Sequence, residues 1–249
     1  MNARFRSSME DAFVLEDDFN SKGDGLYCVF DGHGGREVVD FVEENFAKVL
    51  LTELNFDEER SVEDCITSAY IITDIKSRQA NLMQSGCTSV TCLLQKNKDG
   101  EGRTLYSANC GDSRAVLCCK GGKAKRLSED HKASDKTEKT RIEELGGFVL
   151  RDRVLGMLAV SRAFGDHNLK QFVSARPYIT KTQLTGDEEF LIVACDGLWD
   201  EFTDEEAVKL VRENFYNKGE SEFRAADALV KAALEEGTKD NVTVMVVFF

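Results

Sequence analysis

The sequence is poor in proline and histidine and has no excess of positive charge. A single proline, Pro177, excludes proline-rich linkers and extended polyproline segments. Histidine occurs only at 33, 131 and 167, too few and too scattered for a zinc centre built on imidazoles. Lys and Arg number 32 against 45 Asp and Glu, and the resulting net charge of −13 argues against nucleic acid as a partner. None of the eight cysteines forms Cys-x-x-Cys, and several sit inside apolar runs, as buried free thiols of a reducing compartment do. The Cys118-Cys119 pair leaves a redox role open. The longest apolar run, Val242 to Phe249, is far too short to cross a bilayer, so no membrane partner is expected. Polar and charged residues follow Met1 at once, unlike a signal peptide. The expected location is cytoplasmic, with the nucleus as the alternative.

What is present suits a globular chain: 42% hydrophobic and 31% charged residues over 249 positions can bury a sizeable core. No repeat, low-complexity linker or composition break divides it, so residues 1–249 are expected to form one domain. Helical periodicity runs over residues 36–54 and again from Ser61, a candidate cap, to Met83. Short strands follow at Cys87 to Leu94, Thr104 to Asn109 and Ala115 to Cys119, with a turn from Lys98 to Gly102. Ser134 to Leu145 reads as a charged helix ended by Gly146. Phe164 to Pro177 reads as loop with some helix. Thr203-Asp204-Glu205-Glu206 has the form of a capping box before a helix containing Val208, Val211 and Phe215. Ser221 is placed to cap a last helix, Glu222 to Glu236, with Phe223 facing inward, before the strand Val242 to Phe249. Strands do not alternate regularly with helices, which disfavours a parallel doubly wound sheet. Packed antiparallel sheets with helix pairs outside suit this order better.

Carboxylates recur at the ends of the apolar runs. Leu26 to Phe30 leads into Asp31-Gly32-His33-Gly34-Gly35, where glycines at 32, 34 and 35 permit positive φ and close approach. Phe190 to Cys195 leads into Asp196-Gly197-Leu198-Trp199-Asp200. Glu10-Asp11 open the run Ala12 to Leu15, and Asp240 precedes Val242. Asp112 stands in Gly111-Asp112-Ser113-Arg114, which reads as a hairpin tip. Each of these taken alone is also an ordinary turn, since Asp-Gly is a common turn dipeptide. Brought together, Glu10, Asp11, Asp31, Asp112, Asp196, Asp200 and Asp240 would repel one another and resist ionisation. Hard divalent cations resolve such a cluster, and all-oxygen ligands select Mg²⁺ or Mn²⁺. Two such ions ~3.5–4 Å apart can share a water, lower its pKa and hold it in line for attack on phosphorus. An arginine such as Arg6 can grip phosphate oxygens, and an imidazole such as His33 can protonate a leaving alkoxide.

The motifs together resemble the metal-dependent protein phosphatases of type 2C. The resemblance is carried by Arg6-x-x-Met9-Glu10-Asp11, Val29 to Gly35, Ser85-Gly86-Cys87-Thr88, Asn109 to Ala115, Glu129-Asp130-His131-Lys132, Leu158 to Asp166, Ala194 to Asp200 and Lys239 to Thr243. It covers essentially the whole chain. It implies an α+β fold in which two packed antiparallel β-sheets are flanked by helix pairs. It implies two divalent ions: Asp31 would bridge them, the Gly32 carbonyl would bind one, and Asp196 and Asp240 would hold the second. Glu10 would act directly or through water, and Asp11 would support ligand waters. Asp112 and Asp200 match positions used for a weaker third ion. Arg6 would bind the substrate phosphate and His33 would be the general acid. The implied reaction is hydrolysis of phosphoserine and phosphothreonine in proteins without a phosphoenzyme, with phosphoproteins as partners. The chain is expected to be a monomer.

Other residues read as structural. His131 and His167 suit structural or exposed roles, Arg114 and Arg162 ion-pair roles, Trp199 the core, and Asp166 a turn. Three departures from the family pattern stand out. Only five residues precede Arg6, where the family has a further strand, so the chain is either a domain trimmed from a longer protein or a sheet edge finished differently. Ala133 replaces a common proline. The stretch from His167 to Leu184 matches weakly, which leaves substrate choice open. Two other functions compete: a non-catalytic binding module on the same fold, and another two-metal hydrolase such as a nuclease, which the acidity opposes.

Overall fold

Alternating apolar residues build two antiparallel sheets packed face to face. The computed structural model describes residues 1–20, 23–57, 59–97, 101–214 and 224–249. In chain order the elements begin with β1 (Asp11–Glu16), β2 (Gly25–His33), α1 (Glu37–Phe56), α2 (Val62–Gln79), β3 (Gly86–Lys96), β4 (Arg103–Cys110), β5 (Arg114–Cys119) and β6 (Lys123–Arg126). They continue with α3 (Lys136–Glu144), β7 (Val149–Leu150), β8 (Arg153–Val154), β9 (Phe164–Gly165), β10 (Tyr178–Leu184) and β11 (Phe190–Ala194). The last are α4 (Asp196–Trp199), α5 (Asp204–Arg212), α6 (Ala225–Glu236) and β12 (Val244–Phe248). One sheet has the order β1-β2-β3-β4-β10, with β9 added on β3; the other has the order β12-β11-β5-β6.

Period-two alternation sorts the side chains into layers. In β2, Leu26, Cys28 and Phe30 face α1 and α2, while Tyr27 and Val29 face the second sheet. In β11, Leu191, Val193 and Cys195 just beyond it meet them across the sandwich, while Ile192 and Ala194 face α5 and α6. The architecture is therefore α+β, helix pair on sheet on sheet on helix pair. A fourth apolar cluster, with Ile142, Val154 and Val173, sits under α3 and the β7–β8 hairpin.

Helix ends follow local chemistry. The Ser61 hydroxyl accepts the Asp64 N–H at 3.0 Å, and Thr203 and Glu206 form the expected capping box. Asp135 caps α3 by accepting the Thr137 and Glu138 N–H groups, and Gly146 follows at φ +84°. Phe215, the Ser221 cap, Glu222 and Phe223 lie outside the described residues, as do positions 98–100 of the expected 98–102 turn.

Three sequence expectations change. Strand β2 does not stop at Phe30 but runs through Asp31, Gly32 and His33, which pair with Thr88, Cys87 and Gly86. Positive φ occurs at Gly34 and Gly35 but not at Gly32. Gly32 is needed for space instead: a Cβ there would lie 2.5 Å from the Glu10 carbonyl oxygen. The Gly111–Arg114 turn is not a hairpin tip, because β4 and β5 belong to different sheets. It carries the chain across the sandwich, with Gly111 at φ +105° packed on Thr88.

Candidate active site

The carboxylates gather at one end of the layer between the sheets. Alternation puts Asp31 next after Tyr27 and Val29 on the inward face of β2. Asp196 follows the inward-facing Cys195 and opens α4. Asp112 lies in the crossover between the sheets, and Asp240 precedes β12. Gly197 lets the last two segments meet, since a Cβ there would lie 2.0 Å from the Asn241 carbonyl oxygen. Glu10 is tied in by its N–H, which donates to Asn241 Oδ1 at 3.0 Å. The resulting cleft of about 580 Å³ is lined by Arg6, Ser8, Glu10, Asp31, Gly32, His33, Thr88, Asp112, Arg153, Asp196, Asp240 and Asn241.

Burial and mutual repulsion dominate the electrostatics. Asp31 is raised well above the ordinary carboxylate range by burial, then by Asp196, Asp11, Asp112 and Asp240. Burial and the charge of Asp196 push Asp112 up to about 7. Burial, then Asp240 and Asp200, push Asp196 up to about 6, against a hydrogen bond to Asp31. Asp196 Oδ1 is buried and has no hydrogen-bond partner among the described residues. A buried acceptor without a donor, beside crowded carboxylates, is what a cation would satisfy.

Asp11 sits behind the cleft. Its Oδ2 accepts from Thr243 Oγ1 at 2.6 Å and from the Cys195 thiol at 3.6 Å. Ligand atoms of Asp11, Asp31 and Cys195 all lie within 4.8 Å of one another. Burial, then the charges of Asp11, Asp31 and Asp196, raise the Cys195 thiol well above its usual range, which disfavours a thiolate there. The donors that remain are oxygens, and they fit a hard divalent cation.

Arg6 lies on the cleft wall with its side chain half exposed, and its Nη2 donates to Asp240 Oδ2. His33 lines the cleft, and its Nε2 lies 2.7 Å from Asp166 Oδ2. Asp166 is therefore more than a turn residue, although nothing in the sequence links two positions so far apart. Asp200 is not brought into the cleft lining: it is 56% exposed and accepts from Lys132 Nζ at 2.8 Å. Thr88, Asn241 and Arg153 also line the cleft. Thr88 and Asn241 belong to motifs seen in the sequence, whereas Arg153 carries no sequence signal.

The other residues read as structural make packing and ion-pair contacts. Arg114 pairs with Asp130 and Asp204 and lies 5.0 Å from the centre of the Trp199 ring. Trp199 is buried and donates to the Ala194 carbonyl at 3.0 Å. Arg162 pairs with Glu138 at 2.6 Å. His131 accepts the Gly111 N–H, and His167 contacts Ser77 at 2.9 Å.

Fold and cleft together define a class: an α+β sandwich with clustered carboxylates at the open end of its two sheets. The family model for protein phosphatase 2C matches residues 1–242. Protein phosphatase 2C homolog 1 of Schizosaccharomyces pombe is 42% identical over 249 residues, which are 99% of this chain and 70% of that protein. Protein phosphatase 2C homolog 1 of Saccharomyces cerevisiae is 38% identical over 259 residues, covering 99% of this chain and 90% of that protein. A solved serine-threonine phosphatase 2C from Toxoplasma gondii has the same fold, with a TM-score of 0.84 at 24% identity, over 98% of this chain and 92% of that one. The chain belongs to the protein phosphatase 2C family, and with it to the hydrolases.

Proposed function

We propose that the protein hydrolyses phosphoserine and phosphothreonine in protein substrates, with no phosphoenzyme and no nucleic-acid substrate. One observation carries this reading: in a chain of this family, Glu10, Asp31, Asp112, Asp196 and Asp240 share a single cleft with Arg6 and His33. Asp31, the Gly32 carbonyl, Asp196 and Asp240 would hold two ions, Mg²⁺ or Mn²⁺, with Glu10 bound directly or through water. Asp11, anchored by Thr243, would orient ligand waters from behind. Asp112, and Asp200 once released from Lys132, would hold a weaker third ion. When bound, such ions would lower the pKa of a water held between these residues and offset the phosphate's charge. Arg6, once released from Asp240, is exposed enough to grip two phosphate oxygens and set the phosphorus in line. His33 gives a proton to the departing serine or threonine oxygen. No side chain is required as nucleophile. We take residues 1–249 as one catalytic domain acting as a monomer.

The test is phosphate release from a phosphothreonine peptide with Mn²⁺ or Mg²⁺, with and without EDTA, by wild type and Asp196→Ala. The expected result is turnover in the wild type that EDTA abolishes and that Asp196→Ala lowers at least ~10²-fold, the scale of losing one charge-stabilising group. A folded wild type that releases no phosphate with either ion would point instead to a binding module.

A further inference from the structure

The pairing of His33 with Asp166 is built into three adjacent backbones. His33 of β2 stands opposite Gly86 of β3, and Gly86 stands opposite Gly165 of β9. Gly86 leaves the space the pair occupies: a Cβ there would lie 2.0 Å from Asp166 Oδ2 and 2.4 Å from His33 Nε2. Asp166 itself takes left-handed backbone, φ +47°, and its N–H donates to the Ser85 carbonyl at 3.0 Å. Such a conformation is unfavourable for a residue with a Cβ and persists where the surroundings hold it. The Asp166 side chain is 10% exposed and that of His33 is 29% exposed, so the carboxylate is sheltered while the imidazole opens on the cleft. With Nε2 facing Asp166, Nδ1 has no hydrogen-bond partner among the described residues.

We infer that Asp166 is the positioning residue for His33: it accepts the Nε2 proton and fixes the ring, so that the neutral ring keeps its proton on Nε2 and the cationic ring, protonated on both nitrogens, presents Nδ1–H to the leaving oxygen. The inference rests on the phosphatase reading above. In the step concerned, a water oxygen bonds to phosphorus and sheds a proton to solvent. The ester P–O bond breaks, and its electron pair stays on the serine or threonine oxygen. That oxygen takes the Nδ1 proton and leaves as the hydroxyl, orthophosphate departs, and solvent reprotonates His33. A carboxylate that accepts from one imidazole nitrogen and so sets the role of the other is a recurring device for proton transfer.

The experiment compares kcat on two substrates. A phosphothreonine peptide leaves as an alkoxide that needs a proton, whereas 2,4-dinitrophenyl phosphate leaves as a phenolate that does not. For Asp166→Asn the ratio of peptide to aryl kcat is expected to fall about 10²-fold, the lower range for a lost general acid. The peptide KM should stay within about twofold, as befits an interaction made only in the transition state. His33→Gln should show the same fall, and the double variant no further one. An unchanged ratio in folded Asp166→Asn overturns the inference, while a wild type inactive on both substrates overturns the phosphatase reading on which it rests. Should the variant fail to fold, long-range ¹H–¹⁵N spectra of wild-type His33 decide. A neutral ring protonated on Nε2 is expected, and one protonated on Nδ1 overturns the inference.

Discussion

At the residue scale, the acidic cluster works against the metal-free fold. Asp196 titrates near 6 and Asp112 near 7, both above the ordinary 3.8 because burial and neighbouring carboxylates penalise the charge. Between about pH 4 and 7 the folded state thus holds more protons than the unfolded chain, and stability falls as pH rises through that window. His131 has the opposite sign. Burial lowers it from 6.5 to about 4, so its share of stability is lost as pH falls through that range. In EDTA, the Tm of wild type should drop between pH 5 and 8 by roughly 5 °C more than that of Asp112→Asn, and Mg²⁺ should remove the difference. Thermal scans across pH check this. The candidate positions Asp31 and Asp196 were legible because apolar runs lead into them, and Asp240 because it leads into one. The Asp166 partnership was not, because it depends on β9 pairing with β3. The engagement of Asp200 with Lys132 depends likewise on a contact across 68 positions.

At the element scale, one buried carboxylate ties α3 to the segment leading into β9. Glu138, 3% exposed, accepts from Arg141, Ser161 and Arg162. These bonds outweigh its burial and hold it down to about 2. Removing one member of such a network leaves buried charges uncompensated. Glu138→Ala should destabilise the protein by about 3–5 kcal/mol in urea unfolding, whereas Lys139→Ala on the same helix should be nearly neutral. Caps made the helix starts at Ser61 and Thr203 legible. Two strands left little trace. β6, Lys-Ala-Lys-Arg, is a largely exposed edge strand, and β10 alternates only between half-buried and exposed positions after Pro177. Edge strands lack the apolar alternation that marks central ones.

At the scale of the whole molecule, the acidic cleft depends on where the chain changes sheet. The layered α+β architecture was legible from the order of elements and from the family's motifs. The pairing order was not, since β10 joins β4 and β5 joins β11 through packing rather than nearness in sequence. The Gly111–Arg114 crossover shows the consequence. As a hairpin tip Asp112 would project into solvent; as a crossover it lies buried beside Asp31 and Asp196. The sandwich thus brings together carboxylates that begin more than 200 positions apart, from Glu10 to Asp240, and a cation is what would offset their repulsion.

That claim is tested most directly by titrating Mn²⁺ into metal-free protein while counting bound ions by calorimetry and following phosphate release from a phosphothreonine peptide in parallel. The account predicts two tightly bound ions per chain, turnover that rises as they fill, and loss of both in Asp31→Asn. Turnover in rigorously metal-free protein, or two bound ions with no phosphate release, would contradict it.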